Sequence, residues 1–458
     1  MQLKVRSLKD NSLYLLNESA WKKAKIVDGS VLKDKHIFKK DGCYYYKATD
    51  PSPAQETVLV VDTNLALELA LALGAAGHLV YYAIVHGQPY PRLRDEVSGY
   101  GFEEIQKIWD WGEGLELGAE YVIFTDSGFG HLADWLRSKD YYVIGADGKS
   151  ERLELDRVYA RKVMKRLDIN VPDGKVIKGV EEVIKAIAQA KRKLYVKINR
   201  MRGDIETFGT DDPEEARTLL SKGGFPVFGS ELEFVLEEEL KGIEVGVDAF
   251  FNGREFLPIV ADTIEMKGCG NATKFNKIED SVWFTTLEKF EPWLARNGYY
   301  GLFCLEGFYD GVLRVTDVTP RFPYICSYAY PKVIENFDSM LLSLARGEIE
   351  APRLKGRYSV QIGVYTDDTD SWRIIHHSAE PEWIAYRKAV RLEEDWYVPG
   401  DPVVAVAVSA GNSLSAAISD AIKRAESFDM QNIYVQGREF ASYLNVFLDK
   451  AKEFGYAF

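Results

Sequence analysis

The sequence predicts a mixed α/β and α+β fold, and three stretches of the chain carry that prediction. Residues 57–150 alternate short apolar strands with helices, a pattern typical of a parallel sheet with helices on both faces. Near residue 310, two apolar strands flank Asp310–Gly311, a pair that favours a tight turn between antiparallel strands. Residues 1–56 hold short strand-like pieces broken by turn residues, so we predict a small β-rich N-terminal extension there.

The length and composition are those of a globular protein with several domains. At 458 residues the chain can hold about two to four domains, each with its own core. Hydrophobic residues make up 46% of the sequence, and the formal net charge is −13. Non-specific nucleic-acid binding needs clustered lysines and arginines, so an acidic chain without a basic block argues against a nucleic-acid partner.

Cysteine usage and apolar segments bear on the cellular compartment. The four scattered cysteines show no metal-ligand spacing, so we expect free thiols in a reducing compartment; they are Cys43, Cys269, Cys304 and Cys326. The N-terminus lacks a long apolar signal region, and runs such as Leu69–Ala76 are too short to span a membrane. We therefore expect a cytoplasmic protein with no membrane partner. The sequence leaves open whether it forms a homodimer.

Residues 57–150 are predicted to form a β/α domain. Its strands are Thr57–Val61, His78–Val85, Tyr121–Phe124 and Tyr142–Ile144, and its helices are Leu65–Ala76, Phe102–Trp111 and His131–Lys139. Ligands of parallel sheets bind where the strands end. The residues found there are Asp62, Thr63 and Asn64, then His86, Gly87 and Gln88, and finally Thr125–Gly130. The last turn reads TDSGFG, which favours either an anion cradle or an ordinary capped strand-to-helix turn.

Residues 151–345 are predicted to form a central domain, and residues 351–458 a C-terminal α+β domain. The central segment begins with a basic helix in Leu153–Pro172 and continues with a strand that carries Lys197. Three consecutive glutamates end at Glu239, and Glu244 opens the next strand, although a solvated turn would show the same run. The C-terminal segment holds a strand from Val403 and a helix for which Ser413 is the N-cap.

The two strands around residue 310 gather the most specific set of side chains. Glu306 lies in the first strand, and the residues at every second position of the second strand share one face; they are Asp317, Thr319 and Arg321. Carboxylates suit Mg²⁺, which usually takes one or two of them together with nucleotide phosphates. The planar fork of an arginine suits a phosphate or an acyl-phosphate. The alternative is a half-exposed hairpin that alternates polar residues without function.

The order of basic helix, lysine strand, glutamate hinge and acidic hairpin over residues 150–345 resembles the ATP-grasp ligases. The resemblance implies ATP and Mg²⁺ as cofactors, with small-molecule carboxylate and amine substrates. It implies that Lys197 and Arg157 contact phosphates, that Glu237 accepts from the adenine amino group with Glu239 near the ring edge, and that Glu244 binds the ribose. It implies that Glu306, Asp317 and Thr319 hold the metal and that Arg321 stabilises the reacting acyl-phosphate. Arg200 and Arg202 would cover the phosphates in place of a glycine-rich flap.

Over residues 57–430 the chain resembles, more distantly, the phosphoribosylamine–glycine ligases of purine biosynthesis. The resemblance implies an ATP-dependent ligase that forms a C–N bond through an acyl-phosphate. Those enzymes hold the sugar phosphate in a glycine-rich loop after the first strand, whereas Val61–Leu67 has no glycine. We therefore expect a different acceptor, with the Thr125–Gly130 turn as a candidate for its polar end. Two alternatives stay open: an ATP-grasp enzyme with another kind of acceptor, or a catalytically degenerate nucleotide-binding or structural protein.

Overall fold

The computed structural model describes most of the chain in two compact units, Met1–Glu56 and Thr57–Phe458. The described residues are 2–7, 13–17, 22–23, 37–40, 43–47, 55–85, 96–200, 207–222, 230–368, 373–375, 380–393, 395–398, 402–428 and 430–458. Among them, no helix has the length and apolar character needed to cross a membrane. The mixed α/β and α+β fold is confirmed, while the further division at residues 150 and 345 stays a prediction.

The first unit is a five-stranded antiparallel sheet with the strand order β2-β1-β5-β4-β3. Its strands are β1 (Gln2–Ser7), β2 (Leu13–Asn17), β3 (Lys22–Lys23), β4 (Ile37–Lys40) and β5 (Cys43–Lys47). Strand β1 pairs with β2, and β4 pairs with both β3 and β5, while the β1–β5 pair joins these two groups and leaves β2 and β3 at the edges. The β-rich N-terminal extension predicted from the turn residues is therefore present.

The second unit opens with the predicted parallel sheet, whose strand order is β10-β9-β6-β7-β8. Its strands are β6 (Thr57–Asp62), β7 (Leu79–Ile84), β8 (Gln106–Lys107), β9 (Tyr121–Phe124) and β10 (Tyr142–Ile144). The helices between them are α1 (Leu67–Ala75), α2 (Trp111–Glu116) and α3 (Gly130–Arg137). The three central strands, β6, β7 and β9, are almost wholly buried, as expected of strands covered on both faces.

The helix predicted over Phe102–Trp111 is wrong, because strand β8 lies in that stretch and α2 begins only at Trp111. Phe102, Ile105 and Ile108 are all buried, and their spacing of three imitates the period of a helix. The true helix start is marked by Asp110, whose side chain accepts a hydrogen bond from Gly112 N at 2.7 Å.

A four-stranded antiparallel sheet follows, with the order β11-β14-β12-β13. Its strands are β11 (Gly174–Lys178), β12 (Leu194–Ile198), β13 (Thr207–Thr210) and β14 (Glu233–Glu238). Helices α4 (Arg152–Leu155) and α5 (Arg157–Arg166) lead into it, and α6 (Val180–Ala190) and α7 (Pro213–Lys222) accompany it. One apolar cluster joins α6 and α7 to this sheet through residues such as Ile187, Val196 and Leu220.

The largest sheet has nine strands and unites the central and C-terminal segments. Eight of them follow the order β19-β18-β15-β16-β17-β20-β25-β22, and β26 pairs with β20. They are β15 (Ile243–Phe251), β16 (Ile259–Met266), β17 (Gly270–Lys277), β18 (Gly301–Tyr309), β19 (Leu313–Thr319), β20 (Tyr358–Thr366), β22 (Ile384–Ala385), β25 (Val403–Gly411) and β26 (Ile433–Val435). Because β17 pairs with β20, strands on both sides of residue 351 belong to one sheet.

Helices cover the nine-stranded sheet, and a small sheet completes the described fold. The helices are α8 (Phe284–Asn297), α9 (Cys326–Val333), α10 (Phe337–Ala345), α11 (Leu414–Glu426) and α12 (Gly437–Glu453). The small sheet has the order β21-β24-β23 and contains β21 (Arg373–Ile375), β23 (Val390–Leu392) and β24 (Asp395–Val398). The predicted cap of α11 is confirmed, because Ser413 Oγ accepts from Ala416 N.

Candidate nucleotide and metal site

The acidic hairpin predicted from the sequence is formed by β18 and β19. Glu306 lies directly opposite Asp317, and Cys304 lies opposite Thr319. Gly311 supports the turn between the strands with a φ of 97°, a left-handed conformation that favours glycine. Opposed residues of an antiparallel pair share a face, so Glu306 and Asp317 present two carboxylates side by side.

Two further glutamates crowd the same region, and their charges act on Glu306. Solvent reaches the side chain of Glu306, yet the surrounding protein atoms desolvate the carboxyl and, with Asp317, Glu265 and Glu244, raise its pKa to about 8. Desolvation likewise raises the pKa of Glu265 to about 6, against the opposing charge of Lys267. Such shifts indicate a site that is short of positive charge.

The Lys197 side chain extends from β12 to the hairpin and so connects the four-stranded sheet to the nine-stranded sheet. The residue is 5% exposed, and its Nζ donates to Thr316 O and to Asp317 Oδ2, both at 2.8 Å. Its Nζ also lies 3.4 Å from Glu237 Oε2. Burial acts to lower the pKa of Lys197, but the charges of Asp317 and Glu237 outweigh it and hold the pKa above its ordinary value.

Arg157, the first residue of α5, also lies near Asp317. Its Nη1 donates to Ile198 O at 3.0 Å, and its Nε lies 4.0 Å from Asp317 Oδ1. The helix start is fixed by Asp156, whose Oδ1 accepts from Tyr159 N at 3.0 Å. The two cations that the resemblance assigns to phosphates therefore converge on one carboxylate of the hairpin.

Glu237, the first residue of the glutamate hinge expected from the sequence, lies within strand β14, which continues to Glu238. Its Oε1 lies 2.7 Å from Arg161 Nη1, and its Oε2 faces Lys197. Desolvation raises the pKa of Glu237 in spite of these two cations. Sequence reasoning missed Arg161, although its spacing of four from Arg157 placed both on one face of the basic helix. Contact with adenine stays a prediction for Glu237.

Arg321 lies beyond the end of β19 and is held by carboxylates of the chain. Its Nε and Nη2 donate to Glu154 Oε1 at 3.1 and 3.0 Å, and its Nη1 donates to Phe322 O at 3.0 Å. Its Nε also lies 3.3 Å from Asp126 Oδ1. The guanidinium thus links the hairpin to the turn that follows strand β9.

That turn, Thr125–Gly130, already holds a carboxylate from elsewhere in the chain. Gly128 N and Gly130 N donate to Glu151 Oε2 at 3.0 and 2.7 Å, and Ser127 Oγ donates to Glu154 Oε2 at 2.6 Å. The sequence left open an anion cradle or an ordinary capped turn, and in the structure the donors of this turn bind carboxylates of the chain itself, Glu151 before α4 and Glu154 within it.

The remaining predicted residues differ in their relation to the acidic hairpin. Desolvation raises the pKa of Glu244, whose charge acts on Glu306. The Glu239 side chain instead lies at the surface, 3.3 Å from Lys193. Thr319 is half-buried opposite Cys304. Arg200 Nη2 lies 3.5 Å from Asp156 Oδ2. Arg202 lies outside the described residues.

The donor set fits a magnesium ion that arrives with a nucleotide better than a preformed metal site. Among the described residues, no three His, Cys, Asp or Glu side chains are grouped to hold a metal. Glu306 and Asp317 could supply the one or two carboxylates that Mg²⁺ usually takes, and the other ligands would come from phosphates and water. The pairing of Glu306 with Asp317 across the hairpin, together with the raised pKa of Glu306, favours a cation there.

Comparisons with known proteins find distant relatives in sequence and similar solved structures. No protein-family model matches it. It is 23% identical over 251 residues to the carbamoyl phosphate synthase large chain of Clostridium botulinum (strain Alaska E43 / Type E3), covering 52% of this chain and 22% of the relative. The large chain of Clostridium beijerinckii is 23% identical over 229 residues, covering 48% and 21%. The chain thus spans about a fifth of the length of the curated relatives it matches.

Solved structures match a larger share of the chain. Phosphoribosylamine–glycine ligase from Thermotoga maritima has a TM-score of 0.61 at 19% identity, covering 82% of this chain and 98% of that one. The biotin carboxylase domain of Hydrogenobacter thermophilus 2-oxoglutarate carboxylase, complexed with MgADP and bicarbonate, has a TM-score of 0.60 at 14% identity, covering 87% and 95%. N5-carboxyaminoimidazole ribonucleotide synthetase from Thermus thermophilus has a TM-score of 0.54 at 17% identity, covering 81% and 99%. All are ATP-grasp enzymes, and the chain has the ATP-grasp fold that they share.

Proposed function

We propose that the chain is an ATP-dependent ligase that joins a carboxylate to an amine. The observation that carries the proposal is the convergence of Lys197 and Arg157 on Asp317, opposite Glu306, within the ATP-grasp fold. A substrate carboxylate oxygen attacks the γ-phosphorus of ATP, and ADP leaves. The amine nitrogen then attacks the acyl carbon, phosphate leaves, and the nitrogen loses a proton.

The cationic residues of the site bind and orient the phosphates in this proposal. Lys197 and Arg157 exchange their contacts with Asp317 for contacts with phosphate oxygens, which charge-assisted hydrogen bonds favour. Mg²⁺, held by Glu306 and Asp317 with Thr319 beside them, would supply charge that disperses the negative charge of the reacting phosphates. The proposal assigns Glu237 and Glu244 to the adenosine, whereas Glu239, also expected there, lies at the surface 3.3 Å from Lys193.

The substrates are small molecules that enter between the parallel sheet and the hairpin. Arg321 lies at that junction, because it contacts both Glu154 and Asp126. To stabilise an acyl-phosphate, it must exchange at least one of these carboxylates for the reacting group. Similarity to phosphoribosylamine–glycine ligase supports a carboxylate–amine pair and a link to purine biosynthesis, in the cytoplasm that the sequence predicts.

A nucleotide-binding protein without ligase activity is the second candidate. The specific observation in its favour is that Arg321 is fully engaged by Glu154, Asp126 and the Phe322 carbonyl. An arginine so neutralised would leave developing negative charge without its partner.

One assay separates these candidates. Purified protein with Mg²⁺ and ATP is screened for ADP release against a panel of carboxylates, each with and without a panel of amines. The ligase proposal expects ADP release that needs both substrates, with an amide as the product. Nucleotide binding without any stimulated ADP release would favour the second candidate, and absence of nucleotide binding would overturn both.

A further inference from the structure

Asp126 follows strand β9, at the edge of the parallel sheet where the strands end. Its Oδ1 accepts from Ser127 N at 2.8 Å, and its Oδ2 accepts from Thr63 Oγ1 at 2.9 Å. Thr63 follows the neighbouring strand β6, which pairs with β9 in the sheet. The carboxylate is therefore held from two sides, by residues that follow two adjacent strands.

The turn that carries Thr63 is itself fixed by side-chain hydrogen bonds. Asp62 accepts from Thr63 N and Leu65 N, both at 2.9 Å. Thr125 Oγ1 also donates to Asp62, at 2.6 Å, and Thr125 is the residue before Asp126. These contacts join the two turns and hold Asp126 in place without the help of Arg321.

Solvent reaches the Asp126 carboxylate and the guanidinium beside it. The side chains of Asp126 and Arg321 are 12% and 16% exposed, and Asp126 Oδ1 lies 3.3 Å from Arg321 Nε. In the proposed function Arg321 stabilises the acyl-phosphate. Asp126 therefore lies next to the group that the amine attacks.

Amide formation needs a base at this place. An amine nitrogen becomes positively charged as it bonds to the acyl carbon, and it must lose a proton to give the neutral amide. A carboxylate within hydrogen-bond reach of the nitrogen can take that proton. Of the two carboxylates beside Arg321, Glu154 pairs with both Nε and Nη2, whereas Asp126 has its own support in Thr63 and Ser127.

We propose that Asp126 is a catalytic residue of the ligase, which contacts the amine substrate and accepts its proton as the amide forms. The nitrogen of the neutral amine attacks the acyl carbon, the bond from that carbon to the phosphate oxygen breaks, and phosphate leaves with the electron pair. The nitrogen passes its proton to a carboxylate oxygen of Asp126, which later releases the proton to water. The inference rests on the proposed function and assigns a residue to its second step.

Hydroxylamine separates the two steps of the reaction. It is largely unprotonated at neutral pH and attacks acyl-phosphates without the help of a base, so it traps them as hydroxamates. The test measures hydroxamate and amide formation with Mg·ATP and a panel of carboxylates. The amines are a panel that includes ammonia and glycine.

Two matched substitutions are compared with the wild-type chain. Asp126→Asn keeps the shape of the side chain and can keep its contacts with Thr63 and Ser127, but it cannot accept the proton. Asp140→Asn is the control, because Asp140 is exposed beyond α3 and has a φ of 65°, a left-handed conformation that asparagine tolerates.

We expect Asp126→Asn to form hydroxamate within about threefold of the wild-type rate and amide more slowly by a factor on the order of 10² or more, as for loss of a general base. Asp140→Asn should match the wild type in both reactions. Equal loss of hydroxamate and amide would overturn the proposal, because Asp126 would then support the site as a whole. Amide formation by Asp126→Asn within about threefold of the wild type would overturn it as well.

A second variant decides the question if Asp126→Asn does not fold. Thr63→Ala removes the hydroxyl that donates to Asp126 Oδ2, and it should slow amide formation more than hydroxamate formation. Equal effects on the two reactions would contradict the proposal.

The outcomes also separate this inference from the proposed function. If no carboxylate gives hydroxamate or ADP release with the wild type, the ligase proposal fails and the inference fails with it. If the wild type forms hydroxamates but no amide with any amine of the panel, the phosphoryl transfer of the first step stands and the role of Asp126 is overturned.

Discussion

Asp317 is the carboxylate that both cations of the site, Lys197 and Arg157, approach. It lies 2.8 Å from Lys197 Nζ and 4.0 Å from Arg157 Nε, and it faces Glu306 across the hairpin. A nucleotide that takes Lys197 and Arg157 away therefore leaves Asp317 free for a cation. We infer that metal and nucleotide bind together. The nucleotide phosphates would replace Asp317 as the partner of Lys197 and Arg157, and the metal would replace these two cations as the partner of Asp317.

Replacement of the strand lysine tests its contact with phosphate. We expect Lys197→Ala to weaken binding of Mg·ATP about tenfold or more, because a charge-assisted hydrogen bond contributes on the order of 1.5–3 kcal/mol. Calorimetry measures the change. Lys185→Ala is the control, since Lys185 is exposed on α6 and pairs with Glu182. Equal affinities for the lysine variant and the wild type would remove Lys197 from the nucleotide site.

Loss of charge in the hairpin tests the metal assignment. We expect Asp317→Asn and Glu306→Gln each to lower turnover by a factor on the order of 10² or more, since both keep shape and remove charge that stabilises the reacting phosphates. Asp310→Asn, in the turn of the same hairpin, is the matched control. Rates within about threefold of the wild type, with unchanged circular dichroism, would place the metal elsewhere.

The raised pKa of Glu306 gives a pH dependence with a definite sign. The pKa rises from an ordinary value of 4.5 to about 8, so the folded state holds a proton that the unfolded state has lost. Stability of the metal-free protein therefore falls as pH rises from about 4.5 to 8, and Glu306→Gln removes this loss.

Thermal unfolding of the two proteins across that pH range measures the difference. We expect the unfolding midpoint of Glu306→Gln to rise relative to that of the wild type as pH rises. We expect Mg²⁺ with ATP to reduce this difference in midpoint, because the cation neutralises the charge of Glu306. A gap that does not change with pH would show that Glu306 titrates normally.

At the scale of elements, local patterns could be predicted and long-range partners could not. The β18–β19 hairpin follows from its Asp-Gly turn and from alternation within one short segment. The partner of Arg321 is Glu154, 167 positions away, and no local pattern joins the two. The helix expected over Phe102–Trp111 failed because buried residues spaced by three also occur in an irregular segment and a short strand.

Helix α5 and strand β14 are joined by a buried ion pair that the sequence did not reveal. Arg161 and Glu237 have side chains that are each 8% exposed. Removing one partner of such a pair leaves an uncompensated buried charge, which costs about 3–5 kcal/mol. We therefore expect Arg161→Met to lower the free energy of unfolding by about that amount.

Urea unfolding measures this loss, and a double variant provides the control. Arg161→Met combined with Glu237→Leu removes both charges and should recover most of the stability, because apolar replacements of a buried pair are often neutral. If Arg161→Met alone is as stable as the wild type, Lys197 is sufficient to compensate the buried charge of Glu237.

On the scale of the whole molecule, the parallel sheet, the hairpin and the C-terminal strands form one compact unit. Arg321 ties the hairpin to the sheet edge through Asp126, and Thr125, the residue before it, donates to Asp62. This edge of the parallel sheet is therefore built from segments far apart in sequence. Its interest as a place where ligands could bind follows from the rule for the ends of parallel strands, but the carboxylates that occupy its donors required the structure.

This arrangement predicts the outcome with phosphoribosylamine and glycine. The turn after β6 has no glycine and is filled by Asp62, so the phosphate of phosphoribosylamine finds no free N–H groups among the described turns. We expect little or no ADP release when the two compounds are supplied with Mg·ATP in a coupled assay. Phosphoribosylamine–glycine ligase from Thermotoga maritima, assayed alongside, confirms that the freshly made substrate is intact.

Turnover in the ordinary range of about 1–10³ s⁻¹ would show that the phosphate binds elsewhere. It would also show that this chain shares the reaction of its structural neighbour in spite of Asp62. The carboxylates at this edge predict two results together. Phosphoribosylamine and glycine give no turnover, and a carboxylate with an unphosphorylated amine stimulates the release of ADP from ATP. The donors occupied by Asp62 would then account for the first result, and a nucleotide bound by Lys197 and Arg157 beside Asp317 would account for the second.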